Sequence, residues 1–218
     1  MADKVQSLVA RSRLVAIIRL DDLGDAVRIS RALLDAGVQV QEFTLSNPAA
    51  LEAIAAVCAS IAEFNTDDAA IGLGSVRSVE EVDRAIEAGA QFVVTPVTLP
   101  SVIERCRAAK VPIMPGAYTP TEIAAAWEAG ASFVKVFPAR NLGPSYVKDV
   151  LAPMPFLRLM PTGGIDLNNM QAYFDAGAIA VGVGGNIIDA KAIAARDWRQ
   201  VTAVAEQYAE RAKRKDIG

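Results

Sequence analysis

The sequence predicts an α/β protein built as one (β/α)8 (TIM) barrel domain over residues 1–218, with a short N-terminal helix and a C-terminal helix. The chain has 218 residues, of which 52% are hydrophobic, and this size suits one domain with a large core. It also carries a fourfold sequence repeat, and its apolar strands alternate with amphipathic helical stretches. Continuous apolar strands that alternate with helices predict a parallel sheet.

The repeat consists of an acidic residue, alanine and glycine, followed by a β-rich run. Glycine after an alanine-rich amphipathic stretch predicts a left-handed helix C-cap, and the β-branched run predicts a buried strand. The intervals between repeats are about twice the roughly 20 to 30 residues of one strand–helix unit, so each should contain a second strand. The repeats are DAGVQV at 35, EAGAQFVV at 87, EAGASFVK at 128 and DAGAIAVG at 175, and the other strands are LVAIIRL at 14, AAIGLGS at 69, KVPIMPG at 110 and PFLRLMPTGG at 155.

Eight strand–helix units in this length predict a closed barrel, with residues 2–11 as a leading helix and residues 197–213 as a trailing one. The sequence permits the leading helix to plug the barrel floor. The alternative is an open doubly wound sheet, which shows the same alternation. No GxGxxG motif follows the first strand, and the paired repeat favours closed symmetry.

The composition argues against several classes of function. A net charge of −3, from 22 basic and 25 acidic residues spread along the chain, does not suit a nucleic-acid partner. No apolar run reaches the ~18 residues of a membrane span, so no membrane partner is expected. Two cysteines in predicted helices give neither a disulfide framework nor a metal cluster, and they favour a reducing cytoplasm. Without histidine, the common histidine zinc sites and serine triads are excluded.

A lysine interrupts the predicted strand FVKVFPA at 133–139. Side chains alternate along a strand, so Phe133, Lys135 and Phe137 share the face that points into the barrel. Burial disfavours an ammonium group and lowers its pKa, and the resulting amine is a nucleophile. The alternative is a lysine whose stem packs while its amine reaches water. We favour a functional role for Lys135, because the other lysines all sit at helix or loop positions that suit an amine in water: Lys4, Lys110, Lys148, Lys191, Lys213 and Lys215.

A carboxylate enters the barrel from the second strand, VQVQEFTL, in which Val40, Glu42 and Thr44 share one face. Glu42 and Lys135 in one apolar pocket can be a structural ion pair. Alternatively, Glu42 can carry protons while Lys135 does covalent chemistry, since burial raises the pKa of an acid and lowers that of an amine. The residue types alone leave both interpretations open.

Two glycine-rich segments, PTGGI at 161–165 and GVGGNI at 182–187, follow the seventh and eighth strands. In such barrels this pair of loops frequently binds phosphate through backbone N–H groups and a helix N-terminus. Glycines also occur at ordinary turns, but the joint position of the two segments favours an anion site.

The chain resembles, over nearly its whole length, the 2-keto-3-deoxy-6-phosphogluconate and 4-hydroxy-2-oxoglutarate aldolase family, class I aldolases built as (β/α)8 barrels. The resemblance implies cleavage of a phosphorylated 2-keto-3-deoxy sugar acid to pyruvate and glyceraldehyde 3-phosphate, with no metal or organic cofactor, by a homotrimer. Eight motifs carry it in the family's order: EFTL at 42, IGLGSV at 71, QFVVTP at 91, VPIMPG at 111, FVKVFPA at 133, LGPSYVK at 142, LMPTGGI at 159 and AVGVGGN at 180.

Taken position by position, the resemblance implies a Schiff base between Lys135 and the 2-keto carbon of the substrate, with proton transfer by Glu42. The implied substrate-binding residues are Arg19 and Ser75 at the carboxylate, Pro96 and Phe137 as walls of the pyruvyl pocket, and Gly163, Gly164, Gly185 and Asn186 at the phosphate.

The chain departs from the family pattern at three positions. Ser75 stands where threonine is common and keeps the hydroxyl, and Ser46 stands where some members carry a second arginine. Asn186 replaces a usual serine, which leaves the distal group of the substrate open. The alternatives are a 4-hydroxy-2-oxoglutarate aldolase, a phosphate-binding barrel isomerase or synthase, and a non-catalytic sugar-acid binding barrel.

Overall fold

Strands and helices alternate along the computed structural model, which describes residues 2–66 and 68–213. Residues 1, 67 and 214–218 of the predicted domain lie outside the described residues. The strands are β1 Leu14–Ile18, β2 Val40–Thr44, β3 Ala70–Gly74, β4 Phe92–Val94, β5 Ile113–Met114, β6 Gly116–Ala117, β7 Val134–Val136, β8 Leu159–Pro161 and β9 Val181–Val183.

The helices lie between the strands and at both ends of the described chain. None of those within the described residues is long and apolar enough to span a membrane. Short 3-10 helices cover Ala62–Phe64 and Ala139–Asn141. The α-helices are α1 Ala2–Ser12, α2 Ala26–Asp35, α3 Ala50–Ser60, α4 Val79–Glu87, α5 Pro100–Ala108, α6 Pro120–Glu128, α7 Gly143–Leu151, α8 Met170–Asp175, α9 Ala190–Ala194 and α10 Trp198–Ala212.

The strands form a parallel sheet in two parts, with the orders β5-β4-β3-β2-β1-β9 and β6-β7-β8. The fold is therefore mixed α/β, with a parallel sheet that forms a half-barrel. The predicted fifth strand is divided at Pro115 into β5 and β6, as expected for a residue without an N–H donor. A single parallel bridge between Thr162 and Gly182 connects the loop after β8 to β9.

The glycines of the four repeats end their helices as the sequence predicts. Gly37, Gly89, Gly130 and Gly177 have φ values of 85°, 94°, 104° and 100°. This left-handed region is open to glycine without a steric penalty. Each of these glycines thus stops a helix just before the chain enters the next strand.

The strands separate two apolar clusters. Val134 and Val136 of β7 belong to the outer cluster, which the surrounding helices cover, whereas Phe133 belongs to the inner one. The inner cluster also contains Val5, Leu8 and Val9 of α1 together with inner residues of the strands. Helix α1 therefore packs into the sheet interior, and on β2 and β7 the buried polar residues Glu42 and Lys135 lie farther along the same face.

Candidate active site

Two ionisable side chains are buried on the inner face of the strands. Glu42 is the third residue of β2 and is 1% exposed, and Lys135 is the middle residue of β7 and is 5% exposed. Each lies two residues beyond an apolar residue of the inner cluster, Val40 and Phe133 respectively. The alternation of strand side chains thus carries both groups into the same interior.

Burial shifts the pKa values of these two groups in opposite directions. It raises the pKa of the Glu42 carboxyl, against the positive charges of Lys135 and Arg19, which lower it. It lowers the pKa of the Lys135 amine, where the charge of Glu42 opposes the shift and that of Arg19 adds to it. Burial therefore favours the neutral form of each group, and a neutral amine is nucleophilic.

The carboxyl group of Glu42 occupies space that Gly74 provides. A Cβ atom at Gly74 would overlap Oε1 of Glu42 and lie 2.5 Å from its Cδ. Within the described part of the chain, Oε2 of Glu42 is buried without a hydrogen-bond partner. Because an unpaired buried acceptor is unfavourable, this position suits a proton or a bound molecule.

A cavity of about 530 Å³ lies beside these groups at the carboxyl ends of the strands. The amine Nζ of Lys135 lies 4.8 Å from the centre of the Phe137 ring, so Phe137 connects the buried lysine to the cavity. Six residues that the sequence predicted to bind substrate line this cavity: Arg19, Phe137, Gly163, Gly164, Gly185 and Asn186.

Two other predicted residues, Ser75 and Pro96, are not part of the described cavity lining. Ser75 follows β3 and has a φ of 64°, and Pro96 follows β4. The carbonyl group of Pro96 lies against Gly116, which pairs with Lys135 in the strand register. Pro96 is thus near the strand that carries Lys135, although it does not face the cavity.

The glycine loops are tied to each other by a hydrogen bond of Asn186. Its Nδ2 donates to the carbonyl oxygen of Ile165 at 2.8 Å, and so connects the loops after β9 and β8. Nδ2 of Asn169 donates to the carbonyl oxygen of Gly164, also at 2.8 Å. Gly163 and Gly164 have φ values of 94° and 82°, which favour glycine. One N–H of Asn186 is therefore already used within the protein.

Sequence reasoning missed three polar residues of the cavity, Arg140, Asn141 and Thr162. Thr162 is 3% exposed and donates to the carbonyl oxygen of Met160 at 3.3 Å. Its position inside PTGGI, directly after β8, could have identified it from the sequence. Arg140 is the first charged residue after the strand of Lys135, and that position could have identified it.

A parallel α/β fold with a buried lysine, a buried carboxyl and an adjacent cavity at the strand ends defines an enzyme. Residues 5–204 match the family described as KDPG and KHG aldolase, and the chain belongs to this family of aldolases, which are lyases. It is 40% identical over 198 residues to the 2-dehydro-3-deoxy-phosphogluconate aldolase of Treponema pallidum (strain Nichols), covering 90% of this chain and 92% of the relative. The sequence-based assignment to this family is confirmed.

Two solved structures are similar over nearly the whole chain. One is a KDPG aldolase from Legionella pneumophila with pyruvate captured at low pH as a covalent carbinolamine intermediate, at 26% identity and a TM-score of 0.82, covering 92% of this chain and 96% of that one. The other is the 2-keto-3-deoxy-6-phosphogluconate aldolase of Zymomonas mobilis ZM4 with 3-phosphoglycerate, at 28% identity and a TM-score of 0.83, covering 98% of each chain.

Proposed function

We propose that this protein is a class I aldolase that cleaves 2-keto-3-deoxy-6-phosphogluconate, or a related 2-keto-3-deoxy sugar acid phosphate, to pyruvate and glyceraldehyde 3-phosphate. The observation that carries the proposal is the burial of Lys135, whose pKa is lowered, in one interior with Glu42. The covalent pyruvate intermediate of the similar Legionella protein supports a Schiff base at this lysine.

Binding in the proposed complex uses both ends of the cavity. Arg19 pairs with the substrate carboxylate, since it lines the cavity and interacts electrostatically with Glu42 and Lys135. Outside this lining, Ser75 adds a hydroxyl for the same carboxylate. Phe137, together with Pro96 beside the strand of Lys135, forms the walls of the pyruvyl pocket. The loops that contain Gly163, Gly164, Gly185 and Asn186 bind the phosphate through N–H groups.

The proposed chemistry begins with attack of the neutral Lys135 amine on the keto carbon. Loss of water from the carbinolamine gives a protonated iminium, which draws electrons from the neighbouring carbon–carbon bond. Glu42, directly or through a water, removes the proton of the substrate hydroxyl, and the bond breaks to leave an aldehyde and an enamine. Protonation of the enamine and hydrolysis of the iminium release pyruvate and restore the amine, so the cycle needs no metal or organic cofactor.

We further propose that the two parts of the sheet close into one eight-stranded barrel. Two features support closure: β5 and β6 are separated only by Pro115, and the bridge between Thr162 and Gly182 brings the loop after β8 to β9. The helices other than α1, which packs in the interior, would then cover a continuous parallel wall.

The proposal extends to a homotrimer that works in the cytoplasm. The homotrimer is proposed from the family resemblance and from the exposure of Val97, Tyr118 and Phe156, which provide apolar surface for association. The cytoplasmic location is proposed from the free thiols of Cys58 and Cys106, which suit a reducing compartment. Light scattering tests the assembly, and a monomer at micromolar concentration would contradict it.

The 4-hydroxy-2-oxoglutarate aldolase activity is a second candidate. Asn186 already donates one N–H to the carbonyl oxygen of Ile165, so only one N–H of its side chain remains for a phosphate. Cleavage rates on both acids decide between the two. We expect the phosphorylated acid to have the higher kcat/KM, through binding energy remote from the reacting carbons.

Borohydride reduction in the presence of pyruvate tests the Schiff base. We expect the reduced pyruvyl mass on the peptide that contains Lys135, and neither adduct nor cleavage in Lys135→Met or Lys135→Arg. Lys148→Arg, at an exposed lysine of α7, is the matched control and should keep both the adduct and the cleavage activity. An unmodified Lys135 in an active enzyme would refute the proposal, and a barrel isomerase or a binding protein would give no adduct.

A further inference from the structure

The cavity contains a cation that the proposed mechanism does not use. Arg140 lies in the 3-10 helix Ala139–Asn141, directly after the strand of Lys135, and it lines the cavity. Its side chain is exposed, and among the described residues no carboxylate forms an ion pair with it. The guanidinium of Arg140 is therefore available to a ligand.

The backbone around Arg140 is held against the glycine loop after β8. The N–H of Ala139 donates to the carbonyl oxygen of Thr162 at 2.8 Å, and the hydroxyl of Tyr173 donates to the carbonyl oxygen of Ala139 at 3.2 Å. A Cβ atom at Gly164 would lie 2.9 Å from Cβ and 3.1 Å from Cγ of Arg140, so the stem of Arg140 lies directly over this glycine. These contacts place the arginine at the glycine-rich side of the cavity.

The charges of the lining suit a ligand with two anionic groups. Among the described residues that line the cavity there are two arginines, Arg19 and Arg140, and no aspartate or glutamate. Arg19 interacts electrostatically with Glu42 and Lys135 and so belongs to the reacting end. Arg140 lies instead beside Gly164, in the glycine loop after β8.

We propose that Arg140 binds the distal phosphate of the substrate and sets the preference for phosphorylated acids, an inference that rests on the proposed function. A guanidinium can give a phosphate two parallel charge-assisted hydrogen bonds, which exceed what one remaining N–H of Asn186 offers. The distal carboxylate of 4-hydroxy-2-oxoglutarate is also an anion. It lies closer to the reacting carbon than the phosphate does, however, and so fits the position of Arg140 less well.

The test compares Arg140→Gln and Arg140→Lys on three acids: the phosphorylated six-carbon acid, its unphosphorylated form, and 4-hydroxy-2-oxoglutarate. We expect Arg140→Gln to lower kcat/KM for the phosphorylated acid by roughly 10- to 100-fold, the usual range for a charged hydrogen bond, mainly through KM. Arg140→Lys should recover part of the loss, because it keeps the charge but not the bidentate geometry. Inorganic phosphate should inhibit the unaltered enzyme competitively, and Arg140→Gln should weaken that inhibition by a similar factor.

Arg11→Gln is the matched control, since Arg11 is an exposed arginine in the last turn of α1, at the opposite end of the strands. A preference for the phosphorylated acid that survives in Arg140→Gln would refute the inference. An equal loss on 4-hydroxy-2-oxoglutarate would assign Arg140 to a distal carboxylate and refute its role at phosphate. Failure of the proposed function is a separate result, because it shows as absence of the pyruvate adduct at Lys135 in the unaltered protein.

Discussion

Replacement of Gly74 by alanine should impair catalysis by Glu42 although Glu42 itself is unchanged. The added Cβ would lie 2.5 Å from Cδ and 2.8 Å from Cγ of Glu42. Carbon atoms in contact are normally about 3.5 to 4.0 Å apart, so the carboxyl group must move by about 1 Å. Because the φ of Gly74 is not in the left-handed region, the effect comes from the methyl group and not from the backbone.

A shift of about 1 Å at a reacting group lowers a rate by roughly 10²-fold. We therefore expect Gly74→Ala to lower kcat by about 10²-fold, within the ~10²- to 10⁴-fold loss expected for Glu42→Gln. Both variants should still form the reduced pyruvate adduct at Lys135. The crowding should also lower the free energy of unfolding by about 1–3 kcal/mol, which urea denaturation measures.

The assay is a double-mutant cycle on kcat for aldol cleavage. If Gly74→Ala acts through Glu42, adding it to Glu42→Gln should cause little further loss. Gly72→Ala is the control on the same strand, because its Cβ would crowd the ring of Phe92 and not a carboxyl group. It should lower stability with a smaller loss of kcat. A Gly74→Ala enzyme with normal turnover, or losses that multiply in the double variant, would refute the reasoning.

Three other outcomes are expected. Because burial raises the pKa of Glu42, this carboxyl holds its proton more tightly in the native state than in the unfolded chain. Its own contribution to stability therefore falls as pH rises from 4.5 through the raised value, while the lowered pKa of Lys135 acts in the opposite direction. Glu42→Gln should therefore raise Tm at about pH 8 and lose the advantage near pH 4; an equal gain at both would contradict this. In Asn186→Asp, a carboxylate oxygen replaces the N–H donor that faces the carbonyl oxygen of Ile165, and a negative charge is added to the cavity. Its kcat/KM for the phosphorylated acid should fall roughly 10-fold or more below that of Asn186→Ser, and similar values would argue against a phosphate there. Leu8→Ala should lower the free energy of unfolding by about 2–5 kcal/mol in urea, and a loss under 1 kcal/mol would mean that α1 contributes little to the core.

Much of the fold follows from local patterns in the sequence. The capping glycines and the β-branched runs identify helix ends and strands because both depend on neighbouring residues alone. The division of the fifth strand at Pro115 was missed, although proline in a strand is itself a warning. The pairing of strands into six and three could not be predicted, since it depends on contacts between residues far apart in the sequence.

Part of the candidate site also follows from local patterns in the sequence, and part of it does not. The burial of Glu42 and Lys135 follows from the two-residue period of a strand, which puts every second side chain inside. The role of Gly74 does not follow from this period. The register pairs Gly74 with Thr44, and the Glu42 side chain reaches Gly74 only by extending along the sheet. The hydrogen bond from Asn186 to Ile165 likewise depends on how two separate loops meet, which no local pattern encodes.

The electrostatics of Glu42 and Lys135 are best treated as those of one titrating pair. An amine with a protonated carboxyl holds as many protons as an ammonium with a carboxylate. Mutual attraction favours the charged arrangement and burial favours the neutral one. In the proposed mechanism the neutral arrangement is the useful one, because it presents a nucleophile and, on Glu42, the proton that the carbinolamine needs to lose water. Arg19 lowers the pKa of both groups, so it favours the amine at Lys135 and the base at Glu42, and pairing with the substrate carboxylate would weaken that effect. Substrate binding would therefore move Glu42 toward its acid form at the step where an acid is required.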